Sequence, residues 1–249
     1  LQLPYKLLAL DLDGTLLTNE KRISEVSKEW IGRAVEAGVT VIFATGRGLP
    51  NAEAYWEELG LRSPMVLLNG AELWETPGTL AQRHLIQAEN VRRMHRLAIE
   101  EEAYYWGYNT QKLISQKKWP EDAFDHDWMK FGIRHADPLA LIRIKETMLG
   151  WGDLEIAFSG DNALEVSNKG ITKESGVRFV CELLGIEMSE VMAVGDNGND
   201  LALLSAAGLG VSMGNAEPEA KAAARAETDT NENDGVAKAI QKYIFGIAV

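Results

Sequence analysis

The sequence predicts an α/β fold, a parallel sheet covered by helices and interrupted by an inserted α+β unit. Three observations carry this. Short apolar or β-branched runs alternate with amphipathic segments up to about residue 71 and again from about residue 170. Between them the alternation gives way to hairpin signals mixed with helices. Short acidic or glycine-containing clusters follow the strand runs on both sides of the interruption, where open parallel sheets gather their ligands.

The elements follow in order. "YKLLALDLD" reads as a buried strand that ends on two aspartates. "SEVSKEWIGRAVEAG" (24–38) is an amphipathic helix closed by glycine. "VTVIFAT" (39–45) is a short β-branched strand, "LPNAEAYWEELG" (49–60) a helix and "PMVLLNGA" (64–71) a third strand. This βαβαβ order predicts parallel pairing. "AELWETPGTLAQRHLI" holds a Pro-Gly turn between two short runs and predicts a hairpin. "AENVRRMHRLAIEEEA" (88–103) has helical spacing at Val91, Met94, Leu97 and Ala98. "YYWGYN" and "KLISQK" read as a strand pair, "PEDAFDHDW" as a short helix at 120–126, and "MKFGIRHA" as a strand. "DPLALIRIKETMLG" is a helix started by Asp137 and Pro138, and "DLEIAFSG" with "ALEVSN" a hairpin around Gly160-Asp161-Asn162. The alternation then resumes. "TKESGVRFVCELLG" is a helix, "EVMAVGD" a strand, "NDLALLSAAG" a helix and "LGVSMGNA" a strand and turn. "EPEAKAAARA" and "DGVAKAIQKYIF" are closing helices. The division expected is a core of residues 1–80 and 169–249 around an insert of 81–168.

Composition narrows the partners. Of 249 residues, 25 are Lys or Arg and 37 Asp or Glu, so the net charge is 25 − 37 = −12. Such a chain has no field for nucleic acid or for an anionic membrane. No apolar run approaches the length of a membrane span. "LQLPYK" lacks the basic segment and long apolar stretch of a signal peptide, and the single cysteine, Cys181, allows no intrachain disulfide. A reducing cytoplasm is the expected location.

Four clusters hold the chemistry: "DLDGT" (11–15), "ATGR" (44–47), "NKGITK" (168–173) and "GDNGND" (195–200). Asp11, Asp13, Asp196 and Asp200 would bring up to four carboxylates together. Unpaired, they would raise one another's pKa, and a hard cation such as Mg²⁺ resolves that conflict. Thr45 offers a hydroxyl, Gly46 an unobstructed N–H and Lys173 a positive charge, a set suited to a phosphate. A carboxylate is also a nucleophile able to form an aspartyl-phosphate. The rivals fail on spacing. An EF-hand loop from Asp11 needs Glu where Arg22 stands, and one from Asp196 needs Asp or Asn where Gly198 stands. "TGRG" lacks the Lys-Ser/Thr ending of a P-loop, and "GLGVSMG" has a glycine one place too late for a dinucleotide fingerprint. His84, His95, His126 and His135 show no metal-ligand spacing.

These four ordered motifs resemble those of the haloacid dehalogenase (HAD) superfamily, and more closely its Cof-like phosphatases. "LLNGAELWE" (67–75), "ALEVSNKGITKESG" (163–176), "VSMGNA" (211–216) and "TNENDGVAKAI" (230–240) match in order as well. The resemblance implies a Rossmann-like core with an α+β cap inserted between the second and third motifs. It implies that Asp11 attacks phosphorus and that Asp13 protonates the leaving oxygen and then activates water. Mg²⁺ would be held by the Asp11 carboxylate, the Asp13 carbonyl and Asp196, with Asp200 in support. Leu12, Thr45, Gly46, Lys173 and Asn199 would bind phosphoryl oxygens, and Arg47 and Asn69 could contact the substrate. An acid at Asp13, where the related transport ATPases carry Thr, implies hydrolysis. The implied partner is a small phosphorylated metabolite, often a sugar phosphate, and the expected state a monomer or weak homo-oligomer. A phosphotransferase or mutase on the same core, and a non-catalytic metabolite-binding regulator, remain as alternatives. The aromatics of "YYWGY" with Trp119 and Trp128 could stack on a sugar or base, though cap packing is the more economical reading.

Overall fold

A computed structural model describes residues 3–160 and 162–248; the Asp161 of the expected turn lies outside them. The first strand, β1 (Leu7–Leu10), is buried at every position and pairs in parallel on both edges. A strand covered on both faces has no use for alternation, which explains "LLAL". Helix α1 (Glu25–Glu36) starts where the Ser24 hydroxyl accepts from the Ser27 N–H. Strand β2 (Thr40–Ala44), helix α2 (Leu49–Glu58) and strand β3 (Met65–Leu67) follow. The expected strand 64–71 stops early. Leu68 and Asn69 take left-handed backbone angles, φ 51° and 57°, and reverse the chain. It returns as β4 (Glu72–Thr76), antiparallel to β3, and turns through Pro77-Gly78 into β5 (Thr79–Arg83). The expected division after residue 80 therefore cuts through β5, which pairs in the core sheet. The chain leaves that sheet after Arg83.

The inserted segment builds its own antiparallel sheet. Its elements are α3 (Ala88–Glu100), β6 (Tyr104–Asn109), β7 (Leu113–Ser115), β8 (Trp128–Arg134), α4 (Pro138–Leu149), β9 (Leu154–Phe158) and β10 (Ala163–Asn168), with sheet order β7-β6-β8-β10-β9. Val91, Met94 and Leu97 of α3 and Leu141, Ile144 and Met148 of α4 pack with Phe131, Ile133, Leu164 and Val166 of the sheet. One face of the sheet is thereby covered by helices. The helix expected at 120–126 is a single 3₁₀ turn, Ala123–Asp125. Ala123 is buried and Phe124 packs beside it on the cap core, but the flanking Glu121, Asp122, Asp125 and His126 are polar, so the apolar surface spans a single turn. The Trp128 indole donates to the Ala123 carbonyl at 2.6 Å and ties the turn to β8.

After β10 the chain re-enters the core with α5 (Lys173–Leu184), β11 (Val191–Gly195), α6 (Leu201–Ala206), β12 (Leu209–Ser212), α7 (Pro218–Ala223), β13 (Ala226–Glu227) and α8 (Gly235–Ala239). The expected last helix breaks after Ala239 into a π turn, Ile240–Ile244. The two-residue β13 is too short to leave a sequence pattern. The core sheet runs β13-β12-β11-β1-β2-β3-β4-β5. Strand order reverses about β1, so a crevice opens at the carboxyl ends of β1, β2 and β11. The cap meets the core through a small apolar cluster of Leu68, Ala71, Tyr108 and Met129. Among the described residues no helix is long and apolar enough to cross a membrane.

Candidate active site

The crevice holds a buried ionic centre. Lys173, the first residue of α5, is fully buried and donates from Nζ to Asp11 Oδ1 and Asp200 Oδ1, each at 2.8 Å. Its placement follows from the Thr172–Ser175 capping box, which fixes the helix start beside the crevice. Burial alone would lower the Lys173 pKa, but Asp11 and Asp200 raise it above its ordinary value. Asp11 stands just past β1 and is also buried. Burial pushes its carboxyl up to about 6, against the pull of Lys173, and Asp200 adds to the rise. The Leu12 N–H bonds to the same carboxylate. Asp200 accepts on Oδ2 from the Asp196 and Asn197 N–H groups at 3.0 and 3.1 Å. Asp196, at the end of β11, accepts from the Thr15 hydroxyl at 3.0 Å. Burial, then Asp11 and Asp200, push Asp196 up to about 9.

Asp11, Asp196 and Asp200 each present an oxygen within 4.8 Å of the others. One lysine does not balance two buried carboxylates and a half-buried third, and burial together with their mutual repulsion raises Asp11 and Asp196. An oxygen-only donor set of this kind fits a hard divalent cation. The chain also closes tightly here. Gly14 has φ 78°, and a Cβ on it would lie 2.2 Å from Asp196 Oδ2. Glycine at 14 keeps that carboxylate in place.

Asp13 is two residues from Asp11 but turned elsewhere. Its carboxylate is clasped by Arg47, with Nε to Oδ2 at 2.6 Å and Nη2 to Oδ1 at 2.8 Å, and by Lys21 Nζ at 2.6 Å. Partial burial works upward, but the hydrogen bonds from Arg47 and Lys21 hold its pKa at about 2. In this arrangement Asp13 is ionised at neutral pH, the form that accepts a proton. Arg47, read from the sequence as a substrate contact, is here the partner of Asp13. Lys21 carried no signal in the sequence.

The remaining expected residues gather at the same place. Thr45 is buried, and its hydroxyl accepts from the Arg47 N–H at 3.1 Å. Asn69 donates to Glu165 Oε2 at 2.6 Å and accepts from Asn199 Nδ2 at 3.2 Å. Asn199 keeps a buried Oδ1 without a hydrogen-bond partner among the described residues. From the cap, Lys130 donates to the Gly46 carbonyl at 2.7 Å and to Glu165 Oε1 at 2.6 Å. Lys130 and Glu165 were not singled out from the sequence. Only the strand register shows that they share the face turned to the core.

A cavity of about 240 Å³ joins these parts, lined by Asp11, Asp13, Thr45 and Gly46 below and by Trp106, Tyr108, Lys130 and Glu165 above. A second cavity of about 260 Å³ lies beyond Lys130, Glu165 and Asn199, floored by Phe158, Ile171 and Leu201. The aromatics divide between two roles. Trp119 and Trp128 stack at 4.6 Å within the cap interior, as the packing reading expects. Trp106 and Tyr108 face the cavity that holds Asp11 and Asp13. Tyr108 packs on Gly48 and is pushed up to about 12 by burial.

Comparison with known proteins gives a consistent result. A family model described as haloacid dehalogenase-like hydrolase matches residues 8–139 and 120–240. A Bacillus subtilis (strain 168) protein named 5-amino-6-(5-phospho-D-ribitylamino)uracil phosphatase YcsE is 38% identical over 239 residues, covering 96% of each chain. The pyridoxal phosphate phosphatase YbhA of Escherichia coli (strain K12) is 29% identical over 269 residues, with 96% of this chain and 98% of that one covered. A solved haloacid dehalogenase-like hydrolase from B. subtilis shares the fold at a TM-score of 0.87, with 24% identity over 95% of this chain and 99% of that one.

Proposed function

This chain belongs to the haloacid dehalogenase-like hydrolase family and is a phosphatase; on that premise we propose that it hydrolyses small phosphate monoesters through a phosphoryl group carried on Asp11. The observation that supports this reading is the buried Asp11–Lys173–Asp200 centre, with Asp196 beside it, at the carboxyl ends of β1 and β11. An Asp11 oxygen forms a bond to phosphorus as the bond from phosphorus to the ester oxygen breaks. The leaving oxygen takes a proton from Asp13. Water then bonds to phosphorus, gives its proton to the Asp13 carboxylate, and the Asp11–phosphorus bond breaks. Lys173 orients Asp11 and offsets its charge. Thr45, the Gly46 and Leu12 N–H groups and Asn199 bind the phosphoryl oxygens. The clasped, ionised form of Asp13 has no proton to give, so the first step requires Asp13 to turn off Arg47 and take up one proton from solvent, which the attacking water restores in the second step.

Asp11, Asp196, Asp200 and the Asp13 carbonyl are the residues that would hold Mg²⁺, which supplies charge neutralisation to the phosphoryl group when bound. The inserted unit acts as a cap that closes over the leaving group. Its proposed span is 84–168, trimmed from 81–168 by the pairing of β5. The chain acts in the cytoplasm as a monomer or weak homo-oligomer on a phosphorylated metabolite. The substrates in the names of the relatives make 5-amino-6-(5-phospho-D-ribitylamino)uracil the first to assay, with pyridoxal phosphate and sugar phosphates beside it. Phosphate release from this panel, with Mg²⁺ and with excess chelator, tests the reading. Metal-dependent release supports it; release unaffected by chelation, or none from any ester, contradicts it.

A further inference from the structure

The face of the cap sheet above the catalytic cavity contains one unusual row. Trp106 of β6 and Glu165 of β10 both pair with Gly132 of β8. The three lie side by side, and glycine occupies the middle. A Cβ at Gly132 would meet Trp106 Cε2 at 2.0 Å and Cζ2 at 2.2 Å. The indole therefore lies down over the Gly132 backbone, in the gap that a side chain would fill. It reaches along the row toward Glu165, with the Arg134 guanidinium 5.7 Å from its ring. Lys130, two residues before Gly132, presents its side chain on the same face. Trp106, Lys130 and Glu165 all line the cavity that holds Asp11 and Asp13.

The polar pair has capacity to spare. Among the described residues Lys130 donates two of its three hydrogens, to Gly46 and Glu165. Glu165 accepts one hydrogen bond on each oxygen, from Lys130 and Asn69, where a carboxylate offers about four acceptor sites. A flat apolar ring beside one remaining donor and about two remaining acceptors is poorly matched to a bare polyol. It suits a planar heterocycle whose edge carries both N–H groups and carbonyl oxygens.

We propose that Trp106 is the stacking platform, and Glu165 with Lys130 the edge readers, for a planar N–H- and carbonyl-bearing heterocycle in the leaving group. This rests on the phosphatase reading and deepens it, because it assigns the substrate class to cap residues. Lys130 and Glu165 also bond to Gly46 and Asn69 of the core. A bound ring would thus be sensed by the elements that carry the phosphate-binding loop.

The test compares two esters that differ only by the ring: 5-amino-6-(5-phospho-D-ribitylamino)uracil and ribitol 5-phosphate. Both are measured as kcat/KM in the wild type, Trp106→Ala, Trp106→Phe and Glu165→Gln. Their dissociation constants are also measured by calorimetry in the Asp11→Asn background, which needs no turnover. The ring-bearing ester is expected to be preferred at least about 10-fold. Trp106→Ala should cut that preference by about 5- to 150-fold, the range for loss of an aromatic stack on a base. Trp106→Phe should retain most of it, and Glu165→Gln should reduce it. An equal loss on both esters in Trp106→Ala, or no preference in the wild type, overturns the proposal. A preference in the binding constants that depends on Trp106, without hydrolysis of these or any other ester of the panel, upholds the ring site while sinking the phosphatase reading.

Discussion

The core edge and the cap face meet across one cavity but are built in opposite ways. In the core, each functional group sits within a few residues of a strand or helix end. Asp11 follows β1, Thr45 follows β2, Asp196 follows β11 and Lys173 opens α5. Backbone direction delivers them, and Lys173 pairs with two of the carboxylates, Asp11 and Asp200. In the cap, Trp106, Lys130 and Glu165 come from the middles of three strands, and only register makes them neighbours. On the roles proposed above, chemistry is local in sequence and recognition is not. Changes at the core edge should therefore affect every substrate alike, while changes in the cap should reorder substrates.

The largest break is expected at Lys173. Lys173→Met leaves Asp11 and Asp200 buried without their counter-charge. Breaking such a pair costs about 3–5 kcal/mol, read as a fall in melting temperature in chelator, with phosphate release lost for all esters. A melting temperature unchanged from wild type would mean that the pair contributes nothing to the core. Asp13→Asn comes next. Loss of the acid–base group should lower kcat by about 10²–10⁴-fold with an alkoxide leaving group, and less with p-nitrophenolate, which leaves without a proton. An equal loss with both leaving groups would argue against proton donation by Asp13 to the leaving oxygen. Gly132→Val tests the other side. It drives the indole off its seat, so the ranking of esters should shift more than the turnover of p-nitrophenyl phosphate; a uniform loss would erase the distinction between the two regions.

The smallest effect is one of pH, and it has opposite signs in the two regions. In the metal-free core the folded state raises Asp11 and Asp196, so it holds their protons more tightly than the unfolded chain does. Stability there falls as pH rises from about 4 toward the raised values. In the cap, burial lowers His95, which accepts or donates at 3.0 Å with the Tyr105 hydroxyl and stacks on Trp119. Its contribution is whole above the unfolded value of about 6.5 and is lost as pH falls through the lower folded value. Hydrogen exchange in chelator, corrected for intrinsic rates, should show α3 and β8 less protected at pH 5.5 than at 7.5, and β1 and β11 more protected. The same direction in both regions would refute this assignment of groups.

The same contrast explains what the sequence disclosed. The βαβ rhythm, the cap order and every core motif were legible, because apolar runs and turn residues announce strand ends. The reversal at Leu68 and Asn69 was not, since left-handed angles at a leucine leave no compositional trace. Nor was the core membership of β5, which a Pro-Gly turn cannot assign to a sheet. Arg47 was legible as a site residue but not as the partner of Asp13, and Lys21 was silent. Trp106 stood out only as one aromatic among several. Its distinction from Trp119 and Trp128 lies in which face of the sheet each occupies.

The most direct test of the central claim is a rapid-quench experiment with ³²P-labelled ester in the presence of Mg²⁺, followed by peptide mapping of the trapped protein. Attack by Asp11 predicts acid-stable, base-labile label on the peptide that contains residues 6–21, and none in Asp11→Asn. Label on another peptide, or label and turnover that persist in Asp11→Asn, would contradict it.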